Sequence, residues 1–122
     1  MYLYLLCHNN YIMKKIEVII PHPNMSQAID ALQSLGLHFT HYETKGRGKA
    51  PTLAVEFDRG TGTMMEEYNT NVTIMTVVAD SMVDRVIETI LNNMEDNEGK
   101  IFVYEVNEVI DIKSKTRGES AL

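Results

Sequence analysis

Lys15-Ile16-Glu17-Val18-Ile19-Ile20-Pro21-His22-Pro23 decides the fold. Its alternation sets Ile16, Val18 and Ile20 on one face of a strand over residues 15–20. Pro21 and Pro23 end the run, because neither can donate to a ladder. Directly after it, Met25, Ala28, Ile29, Leu32 and Leu35 recur at helical spacing, with Asn24 or Ser26 available as N-cap and Gly36 placed to stop the helix. One strand thus feeds one amphipathic helix, and the remaining elements are read outward from this pair.

Residues 37–45 alternate Leu37, Phe39, His41 and Glu43 against His38, Thr40, Tyr42 and Thr44, which predicts a second strand with one face partly wet. Gly46-Arg47-Gly48 breaks it. Residues 49–69 hold Pro51, Gly60, Gly62 and several carboxylates without a long apolar period. A connection of about 20 residues exceeds the usual ~4 to 6, and such segments are commonly functional or disordered, so this one is the candidate mobile recognition loop. Residues 71–78 are rich in valine, isoleucine and threonine and form a third strand ahead of Asp80-Ser81, either of which could cap a helix. That helix carries Met82, Val83, Val86, Ile87, Ile90 and Leu91 along one stripe. An acidic loop over residues 93–98 leads to the last strand, Lys100–Val106.

The order strand, helix, strand, strand, helix, strand predicts an α+β sandwich of the ferredoxin-like βαββαβ type, two helices on one face of an antiparallel sheet. Fold alone decides little about function. Apolar residues on both sides of several strands predict an oligomer that covers the open face.

The chain has 122 residues, which fits a single domain, placed over residues 13–122. A formal net charge of −6 makes the surface as a whole repel nucleic acid and anionic lipid. Cys7 is the only cysteine, so no intrachain disulfide and no Cys-Cys metal motif can form, and the cytoplasm is the natural compartment. Residues 1–12 form an apolar leader far shorter than the ~20 residues of a membrane helix. Lys14 and Lys15 follow the apolar run, whereas a secretory signal places its charge ahead. Met13-Lys14-Lys15 reads as a beginning, which leaves the leader as an upstream-start artefact or a loose extension.

Gly99-Lys100-Ile101-Phe102-Val103 opens the last strand, and ten residues beyond Val103 comes the basic run Lys113-Ser114-Lys115-Thr116-Arg117-Gly118. A lysine at a strand start, backed by a glycine whose amide can approach a ligand, suits a phosphate. Taken alone, the pair is equally a turn and a solvated lysine. Gly46-x-Gly48 is too short for a dinucleotide fingerprint and opens no helix. On one strand, His38 and His41 would point to opposite faces and cannot chelate one ion together. The methionines at 64, 65, 75, 82 and 94 read as core or contact residues, with Met64-Met65 also suited to adaptable partner contacts. Glu66-Glu67 and Glu95-Asp96 read as solvated, and no serine, cysteine or histidine constellation pairs a nucleophile with a base.

Four fragments then fall into place together: Met13-Lys14-Lys15-Ile16-Glu17-Val18-Ile19-Ile20, Thr40-His41-Tyr42-Glu43-Thr44-Lys45-Gly46-Arg47-Gly48, Gly99-Lys100-Ile101-Phe102-Val103 and Arg117-Gly118-Glu119-Ser120-Ala121-Leu122. In order and at nearly its spacings, they resemble the PII signal-transduction family over residues 13–122. The resemblance implies a non-catalytic homotrimer of ferredoxin-like subunits without a prosthetic group. Such a trimer binds adenine nucleotide (ATP, ADP or AMP, with or without Mg) in clefts between subunits. Its long T-loop touches a target protein such as an ammonium transporter, another membrane transporter or a metabolic enzyme. By position, Thr40 and Val77 would hold the adenine. Gly46 and Gly48 would form the base of the T-loop and, with Lys49, belong to the nucleotide site, and Asn97, Gly99 and Lys100 would form the phosphate loop. Lys113 would reach across the interface. Residues 49–69 would be the T-loop, with Pro51, Phe57, Arg59, Met64 and Met65 facing the target.

The departures from the family pattern are specific. The glutamine that helps hold Mg-ATP and 2-oxoglutarate is Ala50, the lysine that pairs with 2-oxoglutarate is Asn71, and the first of two basic interface residues is Asp111. The phosphate loop is shorter than the family norm, with Asn97 in place of a glycine, and Tyr68 lies near the end of the T-loop instead of mid-loop. Around the expected phosphate site, Lys100 and Lys113 face Glu95, Asp96, Glu98 and Asp111. Like charges there cost on the order of 1 to 4 kcal/mol each, so ADP or AMP is expected to bind at least as well as ATP unless a divalent cation is recruited. Two other functions use the same fold. One is an acyl-phosphate hydrolase, with Arg47 or Lys49 on the phosphate and Asn71 orienting water. The other is a metal-responsive trimer like the copper-tolerance proteins, acting through His41.

Overall fold

Burial along the first strand follows a period of two: Ile16, Val18 and Ile20 are enclosed and the residues between them are partly open. This strand, β1 (Met13–Pro21), starts two residues before the expected boundary and keeps its pairing through Pro21, opposite Asn71. The computed structural model describes residues 13–46, 54–56, 63–65, 69–95 and 97–122, with the backbone alone described for 54–56, 63–65 and 69.

A single 3-10 turn, His22–Asn24, leads into α1 (Met25–Ser34). Asn24 stands at the N-cap position without a side-chain hydrogen bond, and the turn instead ties the Met25 amide to the His22 carbonyl. Gly36 ends the helix at φ +70, a left-handed conformation that glycine adopts without a Cβ clash. The Leu37 amide donates to the Leu32 carbonyl at 3.2 Å and the Gly36 amide to Gln33 at 2.9 Å. These two bonds are a Schellman stop, and they satisfy carbonyls that the helix end leaves open.

The next strand is β2 (Thr40–Gly46), later than the expected start at residue 37. Leu37 and Phe39 pack on the core from the connection instead, and between them the His38 carbonyl accepts the hydroxyl of buried Thr76 at 2.6 Å. That bond satisfies a polar side chain in an otherwise apolar layer, and it draws residues 37–39 out of ladder geometry. Two short strands, β3 (Ala54–Glu56) and β4 (Thr63–Met65), pair as an antiparallel ribbon inside the long connection. The sequence pattern of residues 49–69 does not announce it.

β5 (Asn69–Ala79) is the longest strand, and a 3-10 turn, Asp80–Met82, carries it into α2 (Val83–Asn93). The last strand is β6 (Lys100–Val106). The main sheet runs β2-β5-β1-β6 with every neighbouring pair antiparallel, the ferredoxin-like arrangement. Both helices cover one face, where Ile16, Val18, Ile20, Val72, Ile74 and Val78 meet Ala28, Ala31, Leu32, Val86 and Ile90. Each fully buried Leu, Ile or Val in that layer contributes about 1.5 to 3 kcal/mol. Among the described residues no helix is long and apolar enough to cross a membrane.

Candidate functional site

The register decides which of the expected site residues can meet. Lys100 pairs with Ile19, and Ile19 pairs with Thr73, which lies opposite Tyr42. Because directly paired residues share a face, Lys100 stands on the open side of the sheet, away from the helices. Gly99, just ahead of it, has φ +148, and a Cβ there would lie 2.7 Å from the Ile19 carbonyl oxygen and 2.7 Å from Ile20 Cγ2. Glycine is therefore required at this position by the chain's own packing.

Gly46 closes β2 at the same end of the sheet, opposite Asn69. The Asn71 side-chain nitrogen occupies the space over it, 3.1 Å from where a Cβ would project. Gly46 with Asn71 over it, and Gly99-Lys100, thus lie toward the same end of the main sheet but on opposite flanks of it, Gly46 on one edge strand and Lys100 on the other. Thr40 lies level with Met75, Glu17 and Phe102, and Val77 lies level with Lys15 and Tyr104. Val77 is thereby four residues along the strands from Lys100, about 13 Å. A single chain holds the expected phosphate and adenine residues apart.

Beyond β6, the chain folds into a small turn in which Ile110 bridges Arg117 and the Gly118 amide donates to the Val109 carbonyl at 3.0 Å. Asp111 organises this turn: its carboxylate accepts the Ser114 amide at 2.8 Å, and its backbone carbonyl accepts the Lys115 amide at 2.8 Å. The Ser114 backbone and side-chain hydrogen bonds hold the Asp111 carboxyl below the ordinary aspartate value. The acidic departure at 111 therefore has a structural reason, and it presents Lys113 on the exposed outer part of a defined turn. Arg117 pairs with Glu108 at 3.1 Å.

Asn97 lies in the connection before Gly99, its amide donating to the Met94 carbonyl at 3.1 Å. Gly48, Lys49, Pro51, Phe57 and Arg59 lie outside the described residues, as do Arg47, Ala50, Tyr68, Asp96 and the leader. Met64 and Met65 fall on β4, opposite Val55 and Ala54. His22 approaches Glu43 at 3.4 Å, while His41 lies beside the Phe39 ring at 6.4 Å. Among the described residues, no three His, Cys, Asp or Glu side chains group as a metal site.

One feature escapes the sequence reading. On the helix side of β6 lies a groove of about 340 Å³ between α2 and the strand, lined by Ile20, Ile87, Leu91, Met94, Ile101 and Val103 among others, with Asn97 to Lys100 at its mouth. Leu91, expected on the buried stripe of the helix, is 57% exposed at its rim. The signal for it is the width of that stripe, which is broader than α1 alone can cover.

A family model described as nitrogen regulatory protein P-II matches residues 13–116. Among similar proteins, the nitrogen regulatory protein P-II of Rhodospirillum rubrum is 35% identical over 114 residues, covering 90% of this chain and all of that protein. That of Rhizobium meliloti is 36% identical over the same length and the same shares. Among solved structures, the B. subtilis GlnK-ATP complex superposes with a TM-score of 0.69 at 27% identity, over 91% of this chain and 98% of that one. Arabidopsis thaliana PII bound to citrate gives a TM-score of 0.68 at 27% identity, over 90% and 92%.

Proposed function

The chain belongs to the nitrogen regulatory protein P-II family, and on that premise we propose that it senses an adenine nucleotide in clefts between the subunits of a cytoplasmic homotrimer. It is a regulatory protein and not an enzyme, which sets aside the acyl-phosphate hydrolase. The reading is supported by Gly46 with Asn71 on one flank of the sheet and Gly99-Lys100 on the other, both toward the same end, where a cleft between two copies would bring such edges together. There the Lys100 ammonium supplies a positive charge for phosphate. Thr40 and Val77, held away from that end, hold the adenine once a second copy of the chain is in place, and Lys113 on its turn reaches the phosphates across the same interface. Gly48, Lys49 and Asn97 complete the anion site.

Residues 49–69 carry the signal outward to a target protein, a transporter or a metabolic enzyme, with Pro51, Phe57, Arg59, Met64 and Met65 as the contacts. A ligand acts on that loop only through different affinity for its two states. The bound GlnK-ATP complex among the neighbours supports a nucleotide ligand. The loss of the glutamine and lysine at Ala50 and Asn71 favours ADP or AMP over Mg-ATP with 2-oxoglutarate.

Isothermal calorimetry of the full chain with AMP, ADP and ATP, with and without Mg, tests this directly. Lys100→Ala should weaken the preferred nucleotide about tenfold or more, as expected for a lost charge-assisted bond of about 1.5 to 3 kcal/mol. Unchanged affinity in that variant would remove the site, and tight Mg-ATP binding enhanced by 2-oxoglutarate would overturn the ligand preference.

A further inference from the structure

Tyr42 stands where the proposed nucleotide has to pass. Thr40, Tyr42 and Thr44 share the open side of β2, since they pair with Met75, Thr73 and Asn71 on the open side of β5. The expected adenine residues lie toward one end of this strand: Thr40 opens it, and Val77 sits two residues beyond Met75 on its neighbour. Gly46, the base of the long connection, closes the other end. Tyr42 comes between them, about 7 Å past Thr40.

Strand register also sets Tyr42 level with the phosphate lysine. Tyr42 pairs with Thr73, Thr73 with Ile19 and Ile19 with Lys100, so one row of the open face runs from edge strand to edge strand. In the middle of that row, Ile19 has no donor, and Thr73 is 1% exposed with its hydroxyl 3.3 Å from that of Thr44. The row therefore offers a ligand two side-chain donors, the Lys100 ammonium at one end and the Tyr42 phenol, 47% exposed, at the other. Within one chain three strand spacings, about 14 Å, separate the two ends. A cleft that brings β2 of one copy beside β6 of the next sets both donors around the same ligand.

We propose that the Tyr42 hydroxyl donates a hydrogen bond to a phosphate oxygen of the bound adenine nucleotide, across the cleft from Lys100 of a second copy. With the base held at Thr40 and Val77 and the phosphates directed toward Lys100, the phosphates come level with Tyr42. An O–H to a charged oxygen makes a strong bond, and the phenol supplies it without a charge of its own. The role suits a site short of positive charge, where Glu98 adjoins Gly99-Lys100 and Asp111 stands in place of a family cation. The assignment rests on the nucleotide reading, and the two fail on different measurements.

Tyr42→Phe in the full-length chain removes the hydroxyl and keeps the ring. Isothermal calorimetry should show AMP and ADP binding about tenfold more weakly, as for a lost hydrogen bond to a charged group, while sedimentation velocity shows the parent's oligomer. In phosphorus NMR of the ADP-saturated protein, at least one bound phosphate resonance should move relative to the parent. Parent affinity in Tyr42→Phe, or a loss of affinity with every phosphate resonance in place, overturns the assignment. A variant that changes its oligomeric state also overturns it, because Tyr42 then acts through the contact between copies. If Lys100→Ala weakens the nucleotide and Tyr42→Phe does not, the nucleotide reading stands and the Tyr42 contact falls. A parent protein that binds neither nucleotide removes both.

Discussion

A glycine in a sequence announces that something comes close, without saying what. At Gly99 the expectation is a ligand oxygen, but the close neighbours are the Ile19 carbonyl and the Ile20 side chain. The expected variant behaviour separates the two roles. Gly99→Ala should cost about 1 to 3 kcal/mol of stability through backbone strain and overlap, measured by denaturant unfolding without nucleotide. A variant as stable as the parent would return the glycine to a purely ligand-facing role. Asp111 carries the same lesson in reverse, since a carboxylate in place of a family cation reads as electrostatic loss in sequence. In the folded chain it is the acceptor that shapes the Lys113 turn. Its partners lie three and four residues ahead, and only the fold of the turn shows that they close on it.

The strands and helices follow from local pattern wherever one face is buried. Alternation locates β1 and the 3.6-residue stripe locates both helices, because each signal records which side meets the core. The pattern misplaces the start of β2, since Leu37 and Phe39 are buried from a connection and alternate as a strand would. What distinguishes them is a non-local bond, Thr76 to His38, across the layer. Thr76→Val keeps shape but leaves the His38 carbonyl without this donor. A loss of about 1 to 3 kcal/mol is expected, together with faster amide exchange at residues 37–39. An unchanged unfolding midpoint would show that the connection holds without the bond. The β3–β4 ribbon escapes the pattern for another reason: two three-residue strands are too short for a period to register.

At the scale of the molecule, the topology was legible from the order of elements, and its membership of the P-II family from four dispersed fragments. The separation of Thr40 and Val77 from Lys100 was not, because strand register sets it and only pairing reveals register. The open face also carries Tyr42, Phe102 and Tyr104, each well exposed in the single chain, with the Phe102 and Tyr104 rings stacked at 6.4 Å. Covering these aromatics would drive the proposed assembly, so Phe102→Glu should move a trimer toward monomer in sedimentation velocity. A variant that stays trimeric would place the contact elsewhere. The strand order has one more consequence. β1 is the first of the described strands and a central one in the sheet, with Ile16 paired between Thr76 on one side and Val103 on the other. During synthesis its ladders must wait until β5 and then β6 have left the ribosome. The earliest of these strands to be made is the last to be sealed, which leaves its apolar face exposed to aggregation until β6 is free to pair.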